Sequence, residues 1–355
     1  MDSVDAAVVN LADKPTLLAA HQHPFPQSLR ETLTDVVNKD DRHDSRIPEL
    51  NTTLGKLFAA AVNALLNKAN LPAEQIIAIG SHGQTISHHP EASPAYTTQI
   101  GDANIIAQDT RITTVADFRN ADIKAGGQGA PLAPLVHHAF LMQPGTPRAI
   151  VNIGGIANVS FVSDTTPVKG FDTGPGNTLL DAWVYQHQQQ PFDKDGRFAR
   201  QGKSCPDLLS AFLADPYFDK PHPKSTGTDY FNLAWLEKHL TTQSPEDVQT
   251  TLVELTAQSI IKTIEQEMPM AQIYLCGGGA RNSYLVQRIQ ALAPNQVANT
   301  SELGFDADYL EALLFAWLAK MRLKEEALNT HSITGAKQAV ILGEIFSNPL
   351  PQPKN

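Results

Sequence analysis

A single aspartate, Asp172, stands between two glycine turns in the stretch NIGGIANVSFVSDTTPVKGFDTGPGN, residues 152–177. Glycines at strand ends let backbone N–H groups come close to an anionic ligand, and a helix start favours negative charge. A carboxylate flanked by two such turns suits a general base beside a phosphate. Each turn alone reads better as a hairpin with Asp172 as a turn or cap residue; the pair together favours chemistry. Three other stretches hold reactive groups. DFRNADIKAGGQGAP (117–131) combines Asp117, Arg119, Asp122 and Lys124 with a glycine loop around Gln128. PKSTGTDYFN (223–232) gathers a lysine, hydroxyls and a glycine, and Gly277, Gly278 and Gly279 form a triple-glycine turn. Glu311 lies in an apolar stretch, where a carboxylate either needs a partner or ligand or faces solvent beside Asp308.

These residues need elements to hold them. AIVNIGG, NVSFV and PVKGFD read as three short strands, the last ending at Asp172. Thr173-Gly174-Pro175-Gly176-Asn177 then turns into an apolar-periodic helix, TLLDAWVYQ. AQIYLCGGGARNSYLVQRI is strand, glycine turn, helix. Ser244-Pro245-Glu246-Asp247 has the N-cap serine, first-turn proline and acids of a helix start. Earlier in the chain, AAVVNL and LLAAHQHPFP read as a hairpin, and Leu50 to Leu66 as a helix. IIAIGSHGQT (76–85) reads as a buried strand ending in a glycine turn. YTTQIGD and ITTVADF are two more strands, with a helix at ANIIAQDT between them, and PLAPLVHHAFLM is a helix leading into the second half. The last helix, within DADYLEALLFAWLAKMRL, is apolar around most of its circumference. The order of strands and helices repeats, which predicts a duplicated α/β architecture with a cleft between lobes.

Composition narrows the class. At 355 residues two lobes are the natural expectation. The net charge of −10 argues against a nucleic-acid surface. Two cysteines, far apart and outside metal-ligand spacing, fit a reducing compartment. No signal peptide is legible, and no run nears the ~18 apolar residues of a spanning helix; a cytoplasmic protein without membrane contact is expected. The Walker pattern is absent, and GGGARN lacks the complete dinucleotide fingerprint. His82, His88-His89 and His137-His138 lack the HExxH order and read mostly as structural or surface residues; no residue is assigned to a metal.

Six motifs in one order, SHGQT, ADFRNADIKAGGQGAPLAP, NIGGIANVS, GFDTGPGNTLLDAW, PKSTGTDYFN and CGGGARN, resemble the anhydro-N-acetylmuramic acid kinase family over essentially the whole chain. The resemblance implies a two-lobed actin-like ATPase (sugar kinase) fold, with duplicated α/β lobes around a cleft. The expected division is 1–125 plus about 335–355 for the first lobe and 126–334 for the second. It implies ATP and Mg²⁺, and a small-molecule sugar from recycled peptidoglycan whose anhydro ring is opened by water while O6 takes the phosphoryl group. On that resemblance Asp172 is the base. Arg119, Glu311, Gln128 and His82 are substrate-binding candidates. Asp2, Gly154, Gly155, Asn158, Gly174, Gly176, Asn177, Gly277, Gly278 and Gly279 are nucleotide-binding candidates. A homodimer is also implied.

The chain departs from the family at its start. The family's first strand and its SGTS-x-D turn precede the point where Met1-Asp2-Ser3-Val4-Asp5 begins, leaving Asp2 as the remnant. A central strand and one side of the phosphate cradle are therefore expected to be missing, and the start codon to be misplaced. The alternative function is a catalytically impaired sugar-binding or scaffolding protein. A glycosidase using Asp172 and Glu311 would explain a sugar but not the glycine turns.

Overall fold

The computed structural model describes residues 3–12, 15–293, 295–304 and 309–347; Asp2 and Asp308 lie outside them. The chain divides into two compact units, residues 1–132 with 309–355, and residues 133–308.

In the first unit the opening hairpin forms, β1 (Ser3–Asn10) against β2 (Thr16–Pro24), antiparallel. The apolar-periodic helix Ile47–Ala69 buries Leu50, Leu54, Ala61, Leu65 and Leu66. The stretch 76–85 is not one strand. Only β3 (Ile79–Gly80) is extended before the SHG turn, and β4 begins at Gln84 (Gln84–His89). Ile77 is 86% exposed, so the apolar character of IIAIG does not translate into burial along its length. β4 pairs with β5 (Tyr96–Ile100), and ANIIAQDT is the helix Ala103–Thr110, capped by the Asp102 side chain. β6 (Thr114–Ala116) runs parallel to β3. A Cβ on Gly80 would lie 1.9 Å from the Phe315 carbonyl oxygen, so glycine is what allows the helix Leu310–Leu323 to pack there.

The second unit holds one five-stranded sheet. β7 (Arg148–Ile153), β8 (Ile156–Val162) and β9 (Lys169–Pro175) form an antiparallel meander. β10 (Gln272–Cys276) and β11 (Val297–Asn299) extend it parallel to β7, in the order β11-β10-β7-β8-β9. The helix Pro245–Glu267 starts where expected, with the Ser244 hydroxyl accepting from Asp247 N–H, and is buried along much of its length. Its Val248, Leu252, Leu255, Ile260 and Ile264 join Val151, Val159 and Phe171 of the sheet in one core. Back in the first unit, β12 (Glu344–Phe346) pairs antiparallel with β6. Among the described residues, the strands of the first unit fall into three small sheets and those of the second form one continuous sheet. Both cysteines are free, and among the described residues no helix is long and apolar enough to cross a membrane.

Candidate active site

Asp172 lies in β9, opposite Asn158 of β8. The register shifts between Ala157 and Asn158, because Ala157 pairs with Gly174 while Asn158 pairs with Asp172. Thr173 is thus the extra residue of a bulge, a device that re-aims neighbouring side chains. Its hydroxyl donates to the Ala157 carbonyl, which holds the bulge. The Asp172 carboxylate accepts from Thr226 N–H at 3.0 Å on Oδ2. Burial raises its carboxyl to about 6, and the Thr226 bond acts against that rise. At neutral pH this carboxyl is an ionised base close to its own titration, a favourable position for proton abstraction.

The two glycine turns are bonded to each other. N–H groups of Gly176, Asn177 and Thr178 donate to the carbonyls of Gly155, Gly154 and Gly155, at 2.8–3.0 Å. The start of the helix Thr178–Gln188 therefore secures the first turn, and those three amides are engaged within the protein. Thr256 of the long helix donates to the Pro175 carbonyl, backing the second turn.

The glycines divide by what a side chain would meet. A Cβ on Gly154 or Gly155 has nothing nearer than 3.4 Å, and on Gly278 nothing nearer than 3.7 Å. At those three a Cβ would make no more than ordinary van der Waals contact, so none is needed as glycine for close packing. Gly176 would meet the Gly154 carbonyl oxygen at 2.3 Å, Gly277 the Asn152 side chain at 2.2 Å and Gly279 the Ile153 side chain at 2.3 Å. The first brings the two glycine turns together, and the other two set the turn after β10 against β7. Asn177 joins the same region, donating from Nδ2 to the Ile153 carbonyl.

In the first unit Arg119 donates from Nη1 to the Gly129 carbonyl at 2.8 Å, and its Nη2 meets His82 Nε2 at 2.9 Å. Its Nε is buried without a protein partner among the described residues. Burial and the Arg119 charge push His82 down to about 3, so the ring is neutral and accepts on Nε2. Its proton then sits on Nδ1, 3.9 Å from Glu311 Oε1. His82 is also stacked on Phe315, one helical turn beyond Glu311. Glu311 is 74% exposed on the first turn of its helix, while Leu310, Leu313 and Leu314 are buried. The Arg119 charge favours the ionised form of Glu311. Arg119, His82 and Glu311 thus form one cluster, although 37 residues separate His82 from Arg119. Gln128 stands beside it in the glycine loop, its side chain on Glu91 and its N–H on the Thr334 carbonyl.

Several residues that hold these groups were not assigned to the site from the sequence. Asp122, fully buried, accepts from Gly129 N–H and from the hydroxyls of Thr330 and Thr334, fixing the glycine loop that faces Arg119. Tyr217 donates its hydroxyl to the Asp172 carbonyl at 2.8 Å. Thr226 lay inside a noted motif, but its contribution is a backbone N–H, which no residue type announces.

The family model described as anhydro-N-acetylmuramic acid kinase matches residues 1–348. A protein of that name from Pasteurella multocida (strain Pm70) is 46% identical over 354 residues, covering 98% of this chain and 94% of that protein. Among solved structures, the activator of a 2-hydroxyisocaproyl-CoA dehydratase from Clostridium difficile is similar, with a TM-score of 0.41 at 13% identity over 92% of this chain and 99% of that one. Component A of the (R)-2-hydroxyglutaryl-CoA dehydratase of Acidaminococcus fermentans gives 0.39 at 12% identity, over 88% and 96%. Similarity at that level places no weight on either protein's activity. The family match and the close relative settle membership: the chain belongs to the anhydro-N-acetylmuramic acid kinase family.

Proposed function

We propose that this chain uses ATP to convert 1,6-anhydro-N-acetylmuramic acid into N-acetylmuramic acid 6-phosphate and ADP. Asp172 takes a proton from water, which attacks the anomeric carbon; the C1–O6 bond breaks, and O6 takes the γ-phosphoryl group. The observation that carries this reading is the Asp172 carboxyl: raised to about 6 by burial, aimed by a bulge and held by the Thr226 N–H. A positioned base of this kind contributes ~10²–10⁴-fold in rate.

Gly154, Gly155 and Gly278 suit a nucleotide, because no neighbour crowds their Cβ positions closer than van der Waals contact and a glycine backbone is approachable. Asn158, Gly174, Gly176, Asn177, Gly277 and Gly279 support those turns. When bound, ATP supplies the phosphoryl group, and Mg²⁺ neutralises its charge largely through phosphates and water, asking for no cage of protein ligands. Arg119, with a buried Nε lacking a protein partner among the described residues, suits the lactate carboxylate of the sugar. Glu311 and Gln128 would bond its hydroxyl and amide groups, and neutral His82 would orient Arg119. An actin-like ATPase fold and a cytoplasmic setting go with the family resemblance.

Asp172→Asn tests the assignment. Turnover should be lost while ATP binding, followed by calorimetry, persists; wild-type turnover in that variant would remove Asp172 as the base. A sugar product without phosphate would instead turn the reading towards a glycosidase.

A further inference from the structure

Lys224, the lysine of PKSTGTDYFN, is not placed as a surface lysine reaching for phosphate. It is only 8% exposed. Its Nζ donates to the carbonyls of Tyr217 at 3.1 Å and Phe218 at 3.0 Å, and lies 4.7 Å from the centre of the Tyr217 ring. A buried ammonium is costly unless such acceptors surround it, so its position is fixed by the segment 217–224 and fixes that segment in turn. From residues 217–226 three bonds converge on Asp172. The Lys224 carbonyl accepts from Asp172 N–H at 3.1 Å, the Tyr217 hydroxyl donates to the Asp172 carbonyl at 2.8 Å, and Thr226 N–H donates to the carboxylate at 3.0 Å. His222 adds a fourth hold by stacking on Phe171, the residue before Asp172, at 3.8 Å.

We infer that Lys224 and Tyr217 are positioning residues for the general base: they close residues 217–226 into a clasp that keeps the Thr226 N–H on the Asp172 carboxylate. The inference rests on the reading of Asp172 as the base. Lys224 touches no carboxylate oxygen of Asp172; it acts through main-chain carbonyls, and Tyr217 through the main chain of Asp172 itself.

Within the clasp Lys220 lies 5.6 Å from the centre of the Tyr217 ring, Asp219 and Lys220 both act on Lys224, and Asp215 accepts from Tyr217 N–H at 2.8 Å. β8 presents Asn158 opposite Asp172, and further along it Ser160 is bonded to His137 of the helix Ala133–Leu141. The helix Pro245–Glu267 presents Lys262, whose charge is felt at Lys224, and Glu267, which pairs with Lys169 at 3.1 Å and His222 at 3.6 Å. Tyr217 interacts with Asp172 directly, and burial holds its hydroxyl protonated as a donor. Against the carboxylate itself, Thr226 N–H is the contact that opposes the effect of burial. Loosening the clasp therefore favours the protonated carboxyl, and the base should titrate at higher pH.

Lys224→Met and Tyr217→Phe in the full chain test this by kcat as a function of pH, with folding checked by circular dichroism and ATP binding by calorimetry. Both variants should bind ATP normally. Their kcat should fall roughly tenfold through misplacement of the base, and the acid limb should move up by about one pH unit, the worth of one hydrogen bond to a charged group. Tyr217→Phe removes a single oxygen and carries the test if Lys224→Met does not fold. An acid limb at the wild-type position in a folded variant overturns the clasp, even where kcat is lower, because a purely structural lysine would reduce activity without moving the titration. Asp172→Asn separates the two ideas: if it is inactive and the limbs stay unmoved, only the clasp falls; if it is active, the base assignment falls first.

Discussion

Asp172 carries two consequences that can be measured separately. Its carboxyl sits near 6 rather than at the ordinary 3.8 because burial disfavours the charged form. As a base it must be ionised, so kcat/KM for the sugar should be level above pH 7 and fall about tenfold per pH unit well below 6. A profile with no break between pH 5 and 7 would contradict a base of this pKa. The same shift bears on folding. The raised carboxyl favours the folded state fully below the unfolded value, and that advantage is lost as pH rises through about 6. Asp172→Asn, which removes the charge and keeps an acceptor for Thr226, should be more stable than wild type by roughly 1–3 kcal/mol at pH 8. The gap should close near pH 4, as read by urea unfolding at both pH values. Equal stability at pH 8 would show that the ionised carboxylate is not under the burial strain assigned to it. The Arg119–His82 contact belongs to the same scale: a neutral imidazole accepts from a guanidinium, and the partly buried arginine keeps its charge.

Among the elements, the glycine turns are the informative ones. The sequence presents Gly277, Gly278 and Gly279 as equivalent, and packing makes them unequal. Gly279 lies against Ile153, where a Cβ would sit 2.3 Å from the side chain, whereas Gly278 meets only the Asn177 amide at 3.7 Å. Gly278→Ala should keep the melting temperature and raise KM for ATP several-fold, since it narrows the opening without disturbing β7. Gly279→Ala should lower the melting temperature by several degrees, as overpacking costs ~1–3 kcal/mol. Thermal scans with ATP titrations decide it, and the reverse order would refute the distinction. Legibility at this scale was uneven. The helix start at Ser244, the strand–turn–helix of 271–289 and the hairpin at the chain's beginning follow from local patterns of burial and capping. The stretch 76–85 did not, because a run of isoleucines signals burial only if another element covers it, and Ile77 is left uncovered.

For the whole molecule, the net charge of −10 means that an anionic nucleotide gains nothing from the overall field and must be held by local amides and cations. Turnover by the 355-residue chain should be coupled: ADP release that requires the anhydro sugar, at one ADP per phosphorylated product. Sugar binding without ADP release would leave this chain impaired while the family membership stands. What the sequence determined by itself was local or statistical: the α/β character, the turns that glycine permits, the helix caps, and six ordered motifs whose combination has little chance of arising otherwise. It also singled out Asp172, Arg119 and Glu311 by type and setting, and His82 through the family resemblance alone. Only the tertiary structure decided which groups touch them. Thr226 reaches Asp172 across 54 residues, Tyr217 across 45, and Thr334 reaches Asp122 across 212. Such contacts depend on which backbone and side-chain atoms the folded chain brings within 3 Å, and neither an N–H group nor a buried lysine on a carbonyl is distinguishable in a string of residue types. The sequence could propose a base, and the fold supplies the contacts that hold that aspartate.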